Sequence, residues 1–293
     1  MSTAWLVTGA RGQLGHDLLE ALARRPEDTV TAVGRADVDL TDEDAVRRTV
    51  RDWLAGASGA RAVLVNAAAY TAVDAAETDE ATALAVNGRA PGWLAEEMAD
   101  RGRLVHVSTD YVFDGSATEP YPVDAPTAPR SAYGRTKAAG ERAVAGAGGD
   151  ATVVRTAWVY GRHGGNFVRT MTKLEGQHET ISVVDDQIGS PTWSADLAAG
   201  LVELGARETS APAVLHYTNA GQVSWWGLAR AVFAELGADP ARVLPTTTEA
   251  FPRPAPRPAF SVLDGTAWTN CGLTAPRPWD VALHLAMQEG FRD

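Results

Sequence analysis

Short apolar runs alternate with longer amphipathic ones across the first half of the chain, and the first such junction carries glycines at positions 9, 12 and 15. These two observations predict an α/β fold, a Rossmann-like doubly wound parallel sheet. The less regular remainder predicts a smaller C-terminal substrate-binding lobe. The expected strands are residues 4–7, 29–33, 62–65, 104–107 and 152–154, each a β-branched or apolar run bounded by turn residues. Helical periodicity lies between them at 13–24, 42–54, 79–98 and 133–144, with Thr41 and Asp44 reading as a variant capping box for the second helix. The nucleotide-binding domain is expected over 1–160 and the substrate lobe mainly over 161–293, built from helices at 194–204, 225–236 and 281–288. Segments 181–184 and 213–217 read as strands that could return to the main sheet.

Composition removes several classes of function. Lys and Arg total 26 against 37 Asp and Glu, a formal net charge of −11, and no basic block stands out, so a nucleic-acid partner is not expected. The longest uncharged stretch, 209–229, contains Ser, Asn, Gln, Pro and His and does not read as a bilayer span. One cysteine, Cys271, and no basic residue before Arg11 fit a cytoplasmic protein without a secretory signal. The six histidines show no zinc spacing, so no metal site is expected from the residues.

Three groups carry chemistry. Gly9, Gly12 and Gly15 lie between a strand and a helix, where glycine lets the backbone turn and approach a pyrophosphate that the helix N-terminus then binds. Arg35 follows the second strand, where Arg suits the 2′-phosphate of NADP, and Arg11 can reach the same group, so NADPH is expected over NADH. Tyr133 and Lys137 stand four residues apart on a predicted helix, hence on one face. Tyr occurs six times and Lys only twice, so a chance pair at this spacing is expected far less than once. A nearby ammonium would lower the phenol from its usual ~10 toward proton transfer near neutrality. Thr109 lies directly after the fourth strand, where a hydroxyl can face a substrate carbonyl, with Ser108 as its alternate because strand alternation sends the two in opposite directions.

With these in order, the chain resembles the extended short-chain dehydrogenase/reductases and, more narrowly, the dTDP-4-dehydrorhamnose reductase family. The resemblance runs through 8–15, 65–77 (VNAAAYTAVDAAE), 108–115 (STDYVFDG), 133–141 (YGRTKAAGE), 155–161, 185–192 (DDQIGSPT) and Arg257-Pro258. It implies NADPH-dependent reduction of a dTDP-4-keto-6-deoxy sugar at C4, with Tyr133 as proton donor, Lys137 on the nicotinamide ribose and Thr109 on the carbonyl oxygen. It implies cofactor contacts at Gly12, Gln13, Leu14, Asp39, Leu40, Ala67, Ala68 and Ala69. Sugar-nucleotide contacts are implied at Tyr111, Trp158, Asn166 and Arg257. Some members use Mg2+ at a dimer contact through a Glu soon after the Pro-Thr; here Trp193-Ser194-Ala195-Asp196 follows, which puts the metal in doubt unless Asp196 compensates. A monomer or homodimer is expected. A related 4-ketoreductase or ring-contracting synthase of an antibiotic pathway would share every motif. A non-catalytic regulatory subunit of the same fold would not need Thr109, Tyr133 and Lys137.

Overall fold

The computed structural model describes residues 2–291. Strands β1 (Thr3–Thr8), β2 (Thr29–Val33), β3 (Arg61–Asn66), β4 (Arg103–Thr109) and β5 (Asp150–Thr156) alternate with helices α1 (Gln13–Ala23), α2 (Glu43–Gly56), α3 (Val73–Ala76), α4 (Glu80–Leu84), α5 (Ala90–Met98) and α6 (Ala132–Ala147). A π-helical turn, Ala85–Arg89, joins α4 to α5. The second helix starts one residue later than its expected capping box: Asp42 accepts the Ala45 amide at 3.0 Å, while Thr41 bonds back to Asp39. Asp42 takes the cap because Thr41 is already committed to the turn before it.

The remaining elements are β6 (Val159–Tyr160), α7 (Phe167–Glu175), β7 (Ile181–Val184), β8 (Ile188–Gly189), β9 (Thr192–Trp193), α8 (Ser194–Ala206), β10 (Val214–His216), β11 (Val223–Ser224), α9 (Trp225–Glu235), β12 (Val243–Thr246), α10 (Thr266–Asn270) and α11 (Trp279–Gly290). The main sheet has six parallel strands in the order β10-β5-β4-β3-β1-β2. Val214–His216 thus returns to it beside β5. Ile181–Val184 does not; it pairs with β12 in a separate two-stranded sheet under α9, because Ile181 and Val183 pack with Leu228 and Phe233.

Alternation along each strand makes two apolar faces. Trp5, Val7, Val63 and Val65 point to one side and meet Leu18 and Leu22 of α1 and Leu197, Leu201 and Leu204 of α8. Leu6, Leu64 and Leu104 point to the other and meet Val46, Val50, Leu94 and Met98. Helix 194–204, expected in the smaller lobe, therefore covers the main sheet: its i, i+4 leucines match the Trp5 side, and Gly205 lets it settle there, since a Cβ would come 2.5 Å from the Trp5 ring. The smaller lobe is α7, α9, α11 and the β7–β12 pair around Tyr160, Val168, Phe233 and Leu283.

Candidate active site

The glycine turn closes on the end of β3. Gly9 has φ +71°, and a Cβ there would stand 2.7 Å from the Ala68 amide nitrogen; a Cβ on Gly15 would stand 2.2 Å from the Gly9 carbonyl oxygen. Both contacts require glycine. Gly12 is the N-cap of α1, no side chain caps that end, and no acid lies in the first turn. The N–H groups of Gln13, Leu14 and Gly15 at the first positions of the helix thus face outward beside a positive dipole end, which fits a dinucleotide's pyrophosphate. Ala67, Ala68 and Ala69 follow β3 as extended chain, with Ala67 N bonded to Thr8 O at 3.2 Å and Ala68 N to Asn66 Oδ1 at 3.2 Å.

The Arg11 side chain lies over Gly34, 3.5 Å from Asp37 Oδ2, and Arg35 is next in sequence, so the two guanidinium-bearing residues flank the end of β2. The Asp39 carboxylate accepts both the amide and hydroxyl of Thr41, which hold it below its ordinary pKa; Leu40 packs against the core beneath. Gln13 does more than its backbone role, donating to Val159 O at 3.1 Å and accepting from Asn166 at 2.9 Å.

Helix α6 is fixed from both ends of its first turn. The Ser131 hydroxyl accepts the Gly134 amide at 3.0 Å, and Glu77 Oε1 accepts the Ala132 amide at 2.8 Å. Gly134 sits directly on the Tyr111 carbonyl, where a Cβ would approach to 2.2 Å. This seating buries Tyr133 against Tyr111, ring centroids 5.6 Å apart and edge to face, with the Thr109 hydroxyl beside the phenol. One turn on, Lys137 is 1% exposed and its Nζ donates to Val107 O at 2.7 Å. The expected lowering of the Tyr133 pKa is not what this environment produces. Burial, with the Asp110 charge adding to it, pushes the phenol up to about 12 against the smaller pull of Thr109. Lys137 is itself brought down to about 8 by burial. Its Nζ is directed at the β4 backbone.

Ser108, on the other side of β4, donates to Glu141 Oε1 at 2.5 Å; Glu141 in turn forms a bidentate pair with Arg155, both buried. Arg155 also reaches Val123 O and the His216 ring, and stands over Phe113 at 4.9 Å. This hub ties β4, α6, β5 and β10 behind the reacting groups. Thr8, Asn66 and His106 form a second buried chain (2.7 and 3.0 Å), and burial with the Lys137 charge holds His106 well below its ordinary pKa.

Of the residues implied for a sugar nucleotide, Tyr111 and Arg257 share a small cavity with Arg130 and Ser131. Arg257 donates to Asp74 Oδ1 at 2.9 Å, and Arg253 approaches the same carboxylate at 3.5 Å. Trp158 has φ +48°, the one non-glycine residue in the left-handed region among those described, and stacks on Trp225 at 3.5 Å. Such strain in a bulky residue marks a position held by its surroundings. Asn166 does not present a free side chain. It caps α7 through the Arg169 amide and donates to Gln13 and Gly161, because the loop after β6 needs an N-cap there.

Asp196, the acid nearest the Pro-Thr, is engaged within the chain. Its carboxylate accepts from Asn219 at 2.7 Å and pairs with Arg277 at 3.1 Å. Asp17, Glu20 and His163 bring ligand-capable atoms within 4.8 Å of one another, a grouping that no spacing in the sequence signals. Sequence reasoning also missed Asn87, which is fully buried in the π-helical turn and bonds to both backbone groups of Tyr70 and to Thr136.

A parallel sheet with a glycine turn at its first strand and a Tyr–Lys pair beside a strand-end hydroxyl defines an NAD(P)H-dependent oxidoreductase of the extended short-chain class. The family model described as "RmlD substrate binding domain" matches residues 3–291, and the chain belongs to that family, the dTDP-4-dehydrorhamnose reductases. It is 51% identical over 99% of its length to a Streptomyces antibioticus protein described as "Probable dTDP-4,6-dihydroxy-2-methyloxan-3-one 4-ketoreductase", covering 95% of that protein. It is 51% identical to a dTDP-4-dehydrorhamnose reductase of Streptomyces griseus, over 95% of this chain and 91% of the relative. The crystal structure of dTDP-4-dehydrorhamnose reductase from Bacillus anthracis in complex with NADP superposes with a TM-score of 0.92 at 33% identity, covering 99% of this chain and 100% of that one. Among the described residues, no helix is long and apolar enough to cross a membrane.

Proposed function

We propose that the protein reduces the C4 ketone of a dTDP-4-keto-6-deoxy-L-hexose, dTDP-4-dehydro-L-rhamnose to dTDP-L-rhamnose, with NADPH as reductant. The observation that carries this reading is the buried Tyr133, a neutral phenol in the first turn of α6, one turn from Lys137 and next to the Thr109 hydroxyl at the end of β4. A bound NADPH supplies the hydride. The chain then has to orient the ketone and deliver one proton to its oxygen. Tyr133 is suited to that delivery because burial keeps its proton on until an alkoxide, a far stronger base, develops beside it. Lys137, held by the Val107 carbonyl one turn from Tyr133, would supply positive charge for the phenolate left behind and would hold the ribose hydroxyls of a bound cofactor.

Gly9, Gly12, Gly15 and the N-terminus of α1 would hold the pyrophosphate, and Ala67–Ala69 the face of the nicotinamide half. Arg11 and Arg35 would take the 2′-phosphate, a reading supported by the NADP in complex with the Bacillus anthracis relative. Arg35→Ala is then expected to weaken NADPH binding about tenfold or more while changing NADH binding by less than about twofold. Titration of both cofactors by fluorescence decides it, and equal losses would remove Arg35 from phosphate recognition. Tyr111, Trp158, Arg130 and Arg257 would form the sugar-nucleotide side, with Asp74 holding Arg257 until a diphosphate competes for it.

A second reading, a 4-ketoreductase acting on a different dTDP-deoxysugar, is favoured by the equal 51% identity to the Streptomyces antibioticus relative. NMR identification of the product formed from dTDP-4-dehydro-L-rhamnose and NADPH tests the first reading. Formation of dTDP-L-rhamnose supports it, whereas turnover only with another 4-keto sugar, or the opposite C4 configuration, favours the second.

A further inference from the structure

We propose that Asp110 is a positioning residue that decides, through one hydrogen bond, whether Thr109 accepts a proton from Tyr133 or donates its own to the substrate oxygen. The inference rests on the ketoreductase reading above and deepens it.

The argument is an account of one hydroxyl. Thr109 Oγ1 has a single proton and two acceptor positions. With Asp110 ionised, Thr109 is necessarily the donor in the 2.9 Å contact to Asp110 Oδ1. The Tyr111 amide fills one acceptor position at 3.2 Å. The only capacity left is one lone pair on the side of the Tyr133 phenol, so Thr109 has no proton to aim at a ketone. A neutral Asp110 reverses this. Its O–H donates to Thr109 Oγ1, the Tyr111 amide keeps its place, and both the Thr109 and Tyr133 protons become free to converge on the C4 oxygen. Every donor and acceptor is then satisfied.

The surroundings favour a carboxyl that can be neutral. Asp110 is 2% exposed, and the Ser261 hydroxyl, brought in by the C-terminal segment and itself buried, faces its carboxyl group. The groups facing Asp110 are Thr109 from β4, Tyr133 from α6, Tyr111 from its own turn and Ser261. Lys137 is engaged with Val107 O and Arg257 with Asp74. Burial accordingly pushes Asp110 up to about 6, with Ser261 and Thr109 opposing it. A substrate that expels the remaining water moves the carboxyl further toward its neutral form.

The test is the pH dependence of kcat/KM for the dTDP-4-keto sugar at saturating NADPH, from about pH 5 to about pH 9, for the wild type, Asp110→Asn, Thr109→Ser and Thr109→Val. In the wild type, kcat/KM should fall about tenfold per pH unit above the Asp110 ionisation. Asn at 110 is a permanent donor to Thr109, so D110N should lose that limb and decline only where Lys137 deprotonates, near 8. T109S should keep the wild-type limb and T109V should lose it, a contrast that decides the matter even if D110N fails to fold. A wild-type limb surviving in D110N or in T109V overturns the proposal. Absence of any wild-type turnover at every pH overturns the ketoreductase reading and this inference with it, whereas turnover with an unaltered D110N profile overturns the inference alone.

Discussion

Tyr133→Phe is expected to lower kcat by about 10³-fold while NADPH affinity stays within about twofold of the wild type. The phenyl ring fills the same space against Tyr111 and leaves α6 seated on the Tyr111 carbonyl, so what disappears is one O–H. That hydroxyl is the group positioned to protonate the new alkoxide, and burial keeps it protonated across the physiological range. Stopped-flow NADPH oxidation measures the loss, and cofactor titration measures the retention. Turnover within about tenfold of wild type would reassign the proton donor and leave Thr109 or a water as the candidates.

Glu141→Gln is expected to cost about 3–5 kcal/mol of stability, the largest effect foreseen for a residue that touches neither cofactor nor sugar. The substitution keeps the size of the side chain and removes its charge, leaving the Arg155 guanidinium, 5% exposed, with no anionic partner in the hub. His216 cannot take over the anion's place: burial and the Arg155 charge hold its pKa down at about 4, and it is neutral when it accepts from Arg155. Chemical denaturation with matched slopes checks the figure. A loss below about 1 kcal/mol would mean that water reaches Arg155 and that the pair is not functioning as a buried one.

The parallel sheet was legible because its strands are apolar on both faces and its first loop must be glycine. The expected segment 29–33 coincides with β2, and the other four strands extend the expected runs by a few residues at most. Helix α8 could be found as a helix but not placed, since its leucine periodicity is the same whether it faces the small lobe or Trp5; only the shape match at Gly205 separates them. Segment 181–184 shows the same limit, because a short β-branched run does not say which strand it joins. Within the site, Tyr133 and Lys137 were visible from spacing alone. The sign of the tyrosine's pKa shift was not, because desolvation depends on what covers α6, and that cover is Thr109 at the end of β4 and Tyr111 in the turn after it. Asn166 was read as a sugar contact from its motif, yet the same asparagine is a good helix cap, and the local demand of α7 is what the folded chain satisfies. Asn87 and Glu141 carried no signal, since a buried polar side chain looks like any surface one until its partners are known.

The burial of Lys137 has a practical corollary. With Lys173 exposed and no third lysine in the chain, amine-directed reagents meet one accessible side-chain amine in the folded protein. Lys137, 1% exposed with its Nζ on Val107 O, is expected to react far more slowly. Its rate of labelling relative to Lys173 is therefore a built-in gauge of how often the cleft opens, readable in a single peptide map and slowed by whatever seals the site.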